Sequence, residues 1–363
     1  MAADREKALL NADRETVLLG LGALVVFGIG LPLLNAAGLV ADTTLNLWGR
    51  YFCLAIVALG VDLIWGYTGV LSLCQAFFFC LGGYAIGMHM LLETGTEGVY
   101  GSNLPDFMVW NQVEVLPFFW EPFRSFPATL ALGLMVPALA AAIFGYLAFR
   151  SRIKGVYFAI ITQAMALAVW LLFLRNETML GGTNGLTDFK SLAGFDLSSA
   201  ATKRGLYLLA FAGLIGAYLL SRAIVRSKLG AALVAVRDGE RRLAFFGYPV
   251  TQYKVFIFTV AAAFAGLGGM LYVPQTGIIT PGRMDVQASI EIVVWTALGG
   301  RGTLVGPIIG ALTVNMLYSF LTGTFPGTWL YFLGALFVGV VLFFPDGIVG
   351  VWKRLRRGGA EAA

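Results

Sequence analysis

Few residues in this chain are of a type that does covalent chemistry. It has one histidine, His89, and three cysteines, Cys53, Cys74 and Cys80, and all four stand in apolar stretches. The cysteines have neither the number nor the setting of a disulfide framework or a metal site, so they read as small buried hydrophobes. His89, near the outer end of a helix, reads as packing. No Ser/His/Asp set and no carboxylate pair with acid–base geometry is visible, so no catalytic residue, metal site or cofactor is expected. No G-x-x-x-x-G-K-[ST] phosphate loop occurs, and any ATPase that drives the protein must be a separate chain. The remaining candidates are polar groups within apolar segments. Charges at bilayer depth are costly and mark function by default, which singles out Asp62 and Glu291. Their alternative is a charge at headgroup level. Gln75, Thr162, Gln163, Thr313 and Asn315 are neutral candidates for lining a pathway, with hydrogen bonding between helices as the alternative.

The elements that hold these groups follow from composition. Hydrophobic residues make up 58% of the 363 and charged residues 12%, with a mean hydropathy of +0.81. A soluble domain carries roughly 25% charge, so this surface must face lipid. A span needs about 20 apolar residues to cross the ~30 Å hydrocarbon layer. That rule predicts helices near residues 17–40, 45–66, 69–92, 128–149, 155–174, 206–225, 254–274, 286–299, 303–323 and 328–346. Gly302 to Pro345 is free of charge, but one helix of that length would run to about 66 Å at 1.5 Å per residue. A turn is therefore placed at Gly323–Gly327, and another at Gly66–Gly69. Met1 to Glu15 mixes acids and bases ahead of a long apolar stretch, which reads as a spanning helix rather than a signal peptide. The expectation is an all-α, polytopic transmembrane helical bundle of about ten spans, a single domain over 1–363, with cytoplasmic N- and C-termini.

Lysine and arginine set the orientation. Arg150, Arg152 and Lys154, the stretch from Arg222 to Lys254, and Lys353 to Arg357 all fall on one side. An outer loop over 93–127 carries Glu93, Glu97, Asp106, Glu114 and Glu121 against Arg124. A second outer loop, 175–204, holds four basic residues and fits less tidily. A weak repeat pairs 45–92 with 286–323, each a helix, a glycine turn and a helix, a pattern that often marks a transporter's pathway. Close packing of membrane helices explains the glycines equally well.

The cytoplasmic loop 227–253 is the most informative segment. Its middle, Ala231 to Phe246, predicts a helix with Arg237, Asp238, Glu240, Arg241 and Arg242 on a polar side. Leu233, Val236, Ala244 and Phe245 form an apolar side. Both charge signs on one helix suit docking to a protein partner, whereas a helix lying on headgroups favours a more uniformly basic face.

The loop also carries a resemblance. Ser227, Gly230, Ala235-Val-Arg237-Asp238 and Glu240 resemble the loop S-x-x-G-R-x-x-x-A-I-R-[DE]-x-E in permeases of the branched-chain amino acid ABC importer family. Gly247-Tyr-Pro-Val250, Lys254 and Ala265-Gly-Leu-Gly-Gly269 resemble that family's L-G-[YI]-x-V, lysine and glycine-rich helix, in the same order. Ala231 stands where the family usually has arginine. Gly66-Tyr-Thr-Gly69 with Leu71-Ser-Leu-Cys-Gln75 is similar to the family's G-Y-x-G-x-x-S-L-G-Q, with Cys74 replacing glycine. Gly299 to Leu312 is similar to GG-x-GT-x-x-GP-x-x-GA, and Phe344 to Val349 to the C-terminal F-x-P-x-G ending. The resemblance implies that the 227–253 loop couples to ATPase subunits, with Arg237, Asp238, Glu240, Arg241 and Arg242 at that contact. It implies a homologous second permease, two cytoplasmic ATPases, a periplasmic substrate-binding protein, and a bacterial inner membrane.

Within the family, Asn103–Trp110, Arg150–Phe158, Gly181–Asp188 and Val273–Gly277 resemble the urea-importer permease. Urea has four N–H donors and one carbonyl, partners that amide and hydroxyl side chains supply. No clearly paired intramembrane cation and anion is evident to follow a zwitterion. The expectation is alternating-access import of urea or short-chain amides. A branched-chain amino acid permease is the alternative within the family, and a stand-alone passive urea channel the alternative outside it.

Overall fold

A computed structural model describes residues 24–98, 100–153 and 155–328, together with residues 22, 331, 332, 334, 335, 338, 339 and 347–350. The start of the expected 17–40 span, Lys154, much of the 328–346 span, the first half of the Phe344–Val349 ending and the Lys353–Arg357 cluster lie outside them.

The described chain is an all-α polytopic bundle. A π-helical stretch, Leu24–Gly30, runs into α1, Leu31–Ala36. There follow α2 (Asp42–Thr68), α3 (Gln75–Thr94), the short α4 (Asp106–Trp110), α5 (Phe126–Arg150), α6 (Val156–Phe173), α7 (Ala200–Arg226), α8 (Lys228–Phe245), α9 (Val250–Thr276), α10 (Val286–Gly299) and α11 (Val305–Thr324). Seven helices among the described residues are long and apolar enough to cross a membrane, and Leu24–Ala36 and Val286–Gly299 are shorter apolar ones. Four two-residue strands, β1 (Leu186–Thr187), β2 (Ser191–Leu192), β3 (Phe195–Asp196) and β4 (Ile278–Ile279), make two small antiparallel ladders, β1 with β4 and β2 with β3.

Burial sorts the helices into a centre and a rim. The apolar windows of α2, α3 and α9 are 78%, 89% and 61% buried, whereas those of α5, α6 and α7 are 22%, 28% and 33% buried. The outward side chains of the rim, such as Leu139, Ile143 and Leu171, are apolar, as lipid requires. α9 is the hub, packed on α2, α3 and α5. Phe79 meets Tyr272 with ring centroids 5.3 Å apart, and Phe78 meets Phe258 at 5.6 Å. At one end of the bundle the loops interlock. His89 Nδ1–H donates to the Phe123 carbonyl at 2.8 Å, and Trp120 Nε1–H to the Met179 carbonyl at 3.0 Å. Arg150, Arg152, Arg226 and α8 mark the opposite, basic end.

Three expectations need correction. Gly66 is helical, and α2 runs to Thr68 and stops at Gly69, whose φ of 71° is left-handed and suits glycine. The connector from Gly69 to Cys74 then folds back into the bundle, with Ser72 and Cys74 buried, so the next helix begins at Gln75 rather than 69. The two halves of the suspected repeat pack differently: α10 and α11 lie directly on each other, whereas α2 and α3 barely meet and are joined through α9. The helix expected over 231–246 is Lys228–Phe245, and it is broken at Gly239, where φ is −167° and ψ 60°.

Candidate functional site: a mixed-charge cleft

At the end opposite α8, two adjoining cavities of about 300 and 430 Å³ open between α2, the 3₁₀ turn Pro281–Met284, α10 and α11. Both are lined by Leu54, Arg283, Asn315 and Tyr318. One continues to Asp285 and Glu291, the other to Arg50, Tyr51 and Ser319. Local structure places each group. Asp285 caps α10 by accepting the Val286 N–H at 2.6 Å, a favourable place for an anion at a helix N-terminus. Glu291 lies on the next turn but one, where Gln287 Nε2–H donates to it at 3.3 Å. The Arg283 guanidinium lies 5.6 Å from the Tyr272 ring centroid, a cation–π contact that holds it at the cleft wall. A hydroxyl–hydroxyl bond from Tyr51 to Ser319 ties α2 to α11. Asn315 Nδ2–H donates to the Ala311 carbonyl at 2.8 Å.

Two guanidiniums and two carboxylates thus share one cleft, and among the described residues no salt bridge joins them. A cleft so furnished offers donors and acceptors of both charge signs to a small polar solute. The sequence shows no clearly paired cation and anion, and the fold brings Arg283 and Glu291 to one cavity without a salt bridge between them. Arg283 sits just ahead of α10 in a loop, and only the fold of that loop onto the helix brings it beside Glu291.

The six pathway candidates do not form one site. Glu291 and Asn315 line the cleft. Thr313 is half-buried on α11 and lines neither cavity. Thr162 is fully buried and structural: its Oγ1 accepts the Leu73 N–H at 3.0 Å and its hydroxyl donates to the Ala159 carbonyl at 2.8 Å. Gln163 is half-buried beside it and lines neither cavity. Gln75 is buried at the start of α3, with no hydrogen-bond partner for either amide atom among the described residues. Depth along a helix was legible in the sequence, but the direction around the helix was not. Arg50, Tyr51, Arg283, Asp285, Tyr318 and Ser319 were missed. For Arg50 there was a signal: an arginine at the sixth residue of the apolar stretch predicted to begin at residue 45.

At the basic end, α8 lies under α2 and α9. Glu240 turns inward, and Arg237, though exposed, reaches back to the end of α2. Arg237 Nη1–H donates to the Gly66 carbonyl at 2.8 Å and its Nε–H to Asp238 Oδ1 at 2.9 Å. Glu240 pairs with the buried Lys254 of α9 at 2.9 Å, and the Lys254 ammonium lies 5.7 Å from the Phe149 ring centroid. Arg241 and Arg242 are exposed. The five residues therefore do not share one face: Glu240 points into the bundle, and Arg241 and Arg242, the next residues after the break at Gly239, face outward. The expected apolar side divides in the same way. Leu233 and Val236 are buried, whereas Ala244 and Phe245 are exposed, Phe245 at 89%.

The family described as branched-chain amino acid transport system / permease component matches residues 43–341. The chain is 24% identical to the high-affinity branched-chain amino acid transport system permease protein LivM of Escherichia coli (strain K12), over 93% of this chain and 77% of the relative. It is 23% identical to the probable branched-chain amino acid transport permease protein LivM of Methanocaldococcus jannaschii, over 84% and 91%. It is 26% identical to the autoinducer 2 import system permease protein LsrC of Enterobacter sp. (strain 638), over 60% and 63%. No solved structure matches the chain.

Proposed function

The chain belongs to the branched-chain amino acid transport-system permease family, and we propose that it is a membrane-spanning half of the pathway of an ABC importer for urea or a similarly small amide. The observation that carries the importer reading is the pairing of an open polar cleft at one end with a mixed-charge helix at the other. A passive channel needs the first and has no use for the second. The chain supplies no ATPase site. Two cytoplasmic ATPase subunits supply the work, a homologous second permease completes the pathway, and a periplasmic binding protein delivers the solute. The setting is a bacterial inner membrane with α8 on the cytoplasmic side, in keeping with the lysine and arginine bias.

Urea is supported by the segments Asn103–Trp110, Arg150–Phe158, Gly181–Asp188 and Val273–Gly277. It also suits the cleft, where Asp285 and Glu291 accept N–H groups and Arg283 and Asn315 donate to a carbonyl. A second reading, a branched-chain amino acid, has its own support. The relatives' names point to it, and Arg283 with Glu291 matches the two charges of a zwitterion. The deciding experiment reconstitutes both permeases with the ATPases and binding protein and measures ATP-dependent uptake of labelled urea and labelled leucine. Leucine uptake without urea uptake establishes the second reading. Urea flux that persists without ATPases makes the protein a channel and sinks the importer reading.

A further inference from the structure

Gly66 of α2 and Gly302, in the loop after α10, meet in space. Asp62, fully buried on α2, faces the Gly300–Leu304 loop that joins α10 to α11. The Gly302 N–H donates to Asp62 Oδ1, and the Leu304 N–H donates to Oδ2 at 3.2 Å. One helical turn on, Gly66 lets the loop approach: a Cβ there would stand 2.5 Å from the Gly302 nitrogen. The Gly66 carbonyl is in turn the acceptor for Arg237 Nη1–H at 2.8 Å. A headgroup-level charge would be wet. This carboxylate instead spends both oxygens on backbone donors of another element, bonds that its charge strengthens.

The loop held by Asp62 is the base of a stiff unit. α10 and α11 touch backbone to backbone, since a Cβ on Gly310 would lie 1.9 Å from the Trp295 carbonyl oxygen. Packed so closely, the pair shifts together rather than bending. Both members line the cleft, through Glu291 and Trp295 on α10 and Asn315 and Tyr318 on α11. The same end of α2 therefore bonds α8 on one side and the cleft-forming pair on the other.

We infer that Asp62 is a positioning residue that carries displacement of α8 to the cleft: Arg237 moves the end of α2, and Asp62 moves the α10–α11 pair with it. The inference rests on the importer reading, and its test separates the two. The full transporter is assembled with Thr322→Cys on α11 as reporter, where Thr322 lines the cleft and the native cysteines are buried. Labelling by an impermeant maleimide is timed without nucleotide and after trapping with ATP and vanadate.

The parent is expected to change its labelling rate on trapping by a factor within the roughly 5–150-fold typical of coupled sites. Asp62→Ala and Arg237→Ala are expected to abolish that change while ATP hydrolysis continues, and Asp62→Asn, which keeps an oxygen acceptor, to retain part of it. A residue that merely stabilised the fold would lower the melting temperature and leave the nucleotide response intact. A full response in Asp62→Ala, or in Asp62→Asn and Arg237→Ala should the alanine variant fail to assemble, overturns the inference and leaves the importer reading standing. No response in the parent while its ATPases turn over overturns the importer reading itself.

Discussion

The charged groups of the cleft and those under α8 are similar in kind and opposite in use. At the basic end the charges are matched at short range: the buried Lys254 to Glu240 at 2.9 Å, and the exposed Arg237 to the Gly66 carbonyl at 2.8 Å. In the cleft, Arg50, Arg283, Asp285 and Glu291 line open space, and no salt bridge joins them among the described residues. A buried charge with a partner is a fastener, because separating the pair leaves an uncompensated ion in a low-dielectric site. A charge that faces a cavity is available to a visiting solute. On the proposed reading the contrast gives structure to one end and recognition to the other, and each half can be tested.

The largest effect is expected at the fastener. Glu240→Ala leaves the Lys254 ammonium buried without its carboxylate, which typically costs about 3–5 kcal/mol. Removing both charges with Glu240→Leu and Lys254→Met should recover much of that loss, since apolar replacement of a buried pair is often neutral. Unfolding in detergent with increasing denaturant measures both variants. A single variant as stable as the parent would mean that this end is as open to water as the cleft, and the contrast would fail.

Next in size is the cleft. Arg283→Gln and Glu291→Gln each remove a charged hydrogen-bonding group of a kind worth about 1.5–3 kcal/mol, or roughly 10- to 100-fold in rate. Uptake should fall by that order with the melting temperature unchanged. Equal uptake in both variants would take the cleft off the pathway. The balance between the two also sharpens the cargo. A zwitterion needs both charges, so each variant should suffer alike for leucine. Urea can lean on Asp285 after Glu291 is neutralised, so Glu291→Gln should be the milder change.

A smaller effect separates two residues of similar depth. Asn315→Leu removes a neutral amide from the cleft wall, a loss of about 1 kcal/mol and a several-fold slower uptake. Gln163→Leu, outside both cavities, should leave uptake as it was. Equal slowing by both would mean that depth alone selects pathway residues and that the cleft is not special.

Those two residues also show what the sequence makes legible. Span length is written in the run of apolar residues, so α10 and α11 fall at Val286–Gly299 and Val305–Thr324, against expected limits of 286–299 and 303–323. The turn at Gly66 was misplaced for a physical reason. That glycine serves the close approach of Gly302, and the chain reverses only after the left-handed Gly69. Asn315 and Gln163 looked equivalent because hydropathy reports depth. Which side of a helix meets a cavity depends on neighbours far away in sequence, here Arg283 and Leu54. Arg283 itself went unnoticed because it lies in a loop, where charge is expected. In α8 the apolar side was real up to Val236, whereas beyond the Gly239 break Ala244 and Phe245 are exposed while Glu240 still reaches Lys254.

The smallest stability effect is expected where α8 leaves the bundle, and it tests the comparison from inside a single helix. Arg241 and Arg242 follow the Gly239 break and are exposed, as are Phe245 and Phe246 at 89% and 75%. If Glu240 fastens and the arginines that follow it face outward, Arg241→Glu with Arg242→Glu should alter the unfolding free energy by no more than about 0.5 kcal/mol, the usual range for surface positions. The same double variant should uncouple ATP hydrolysis from uptake in the assembled transporter, because reversed charge at a docking face repels a partner that the native charge attracts. A large stability loss would place these arginines with Glu240 as internal fasteners. Unchanged stability with unchanged coupling would leave the segment after Gly239 outside the ATPase contact, and docking would then fall to Arg237 and the first half of α8.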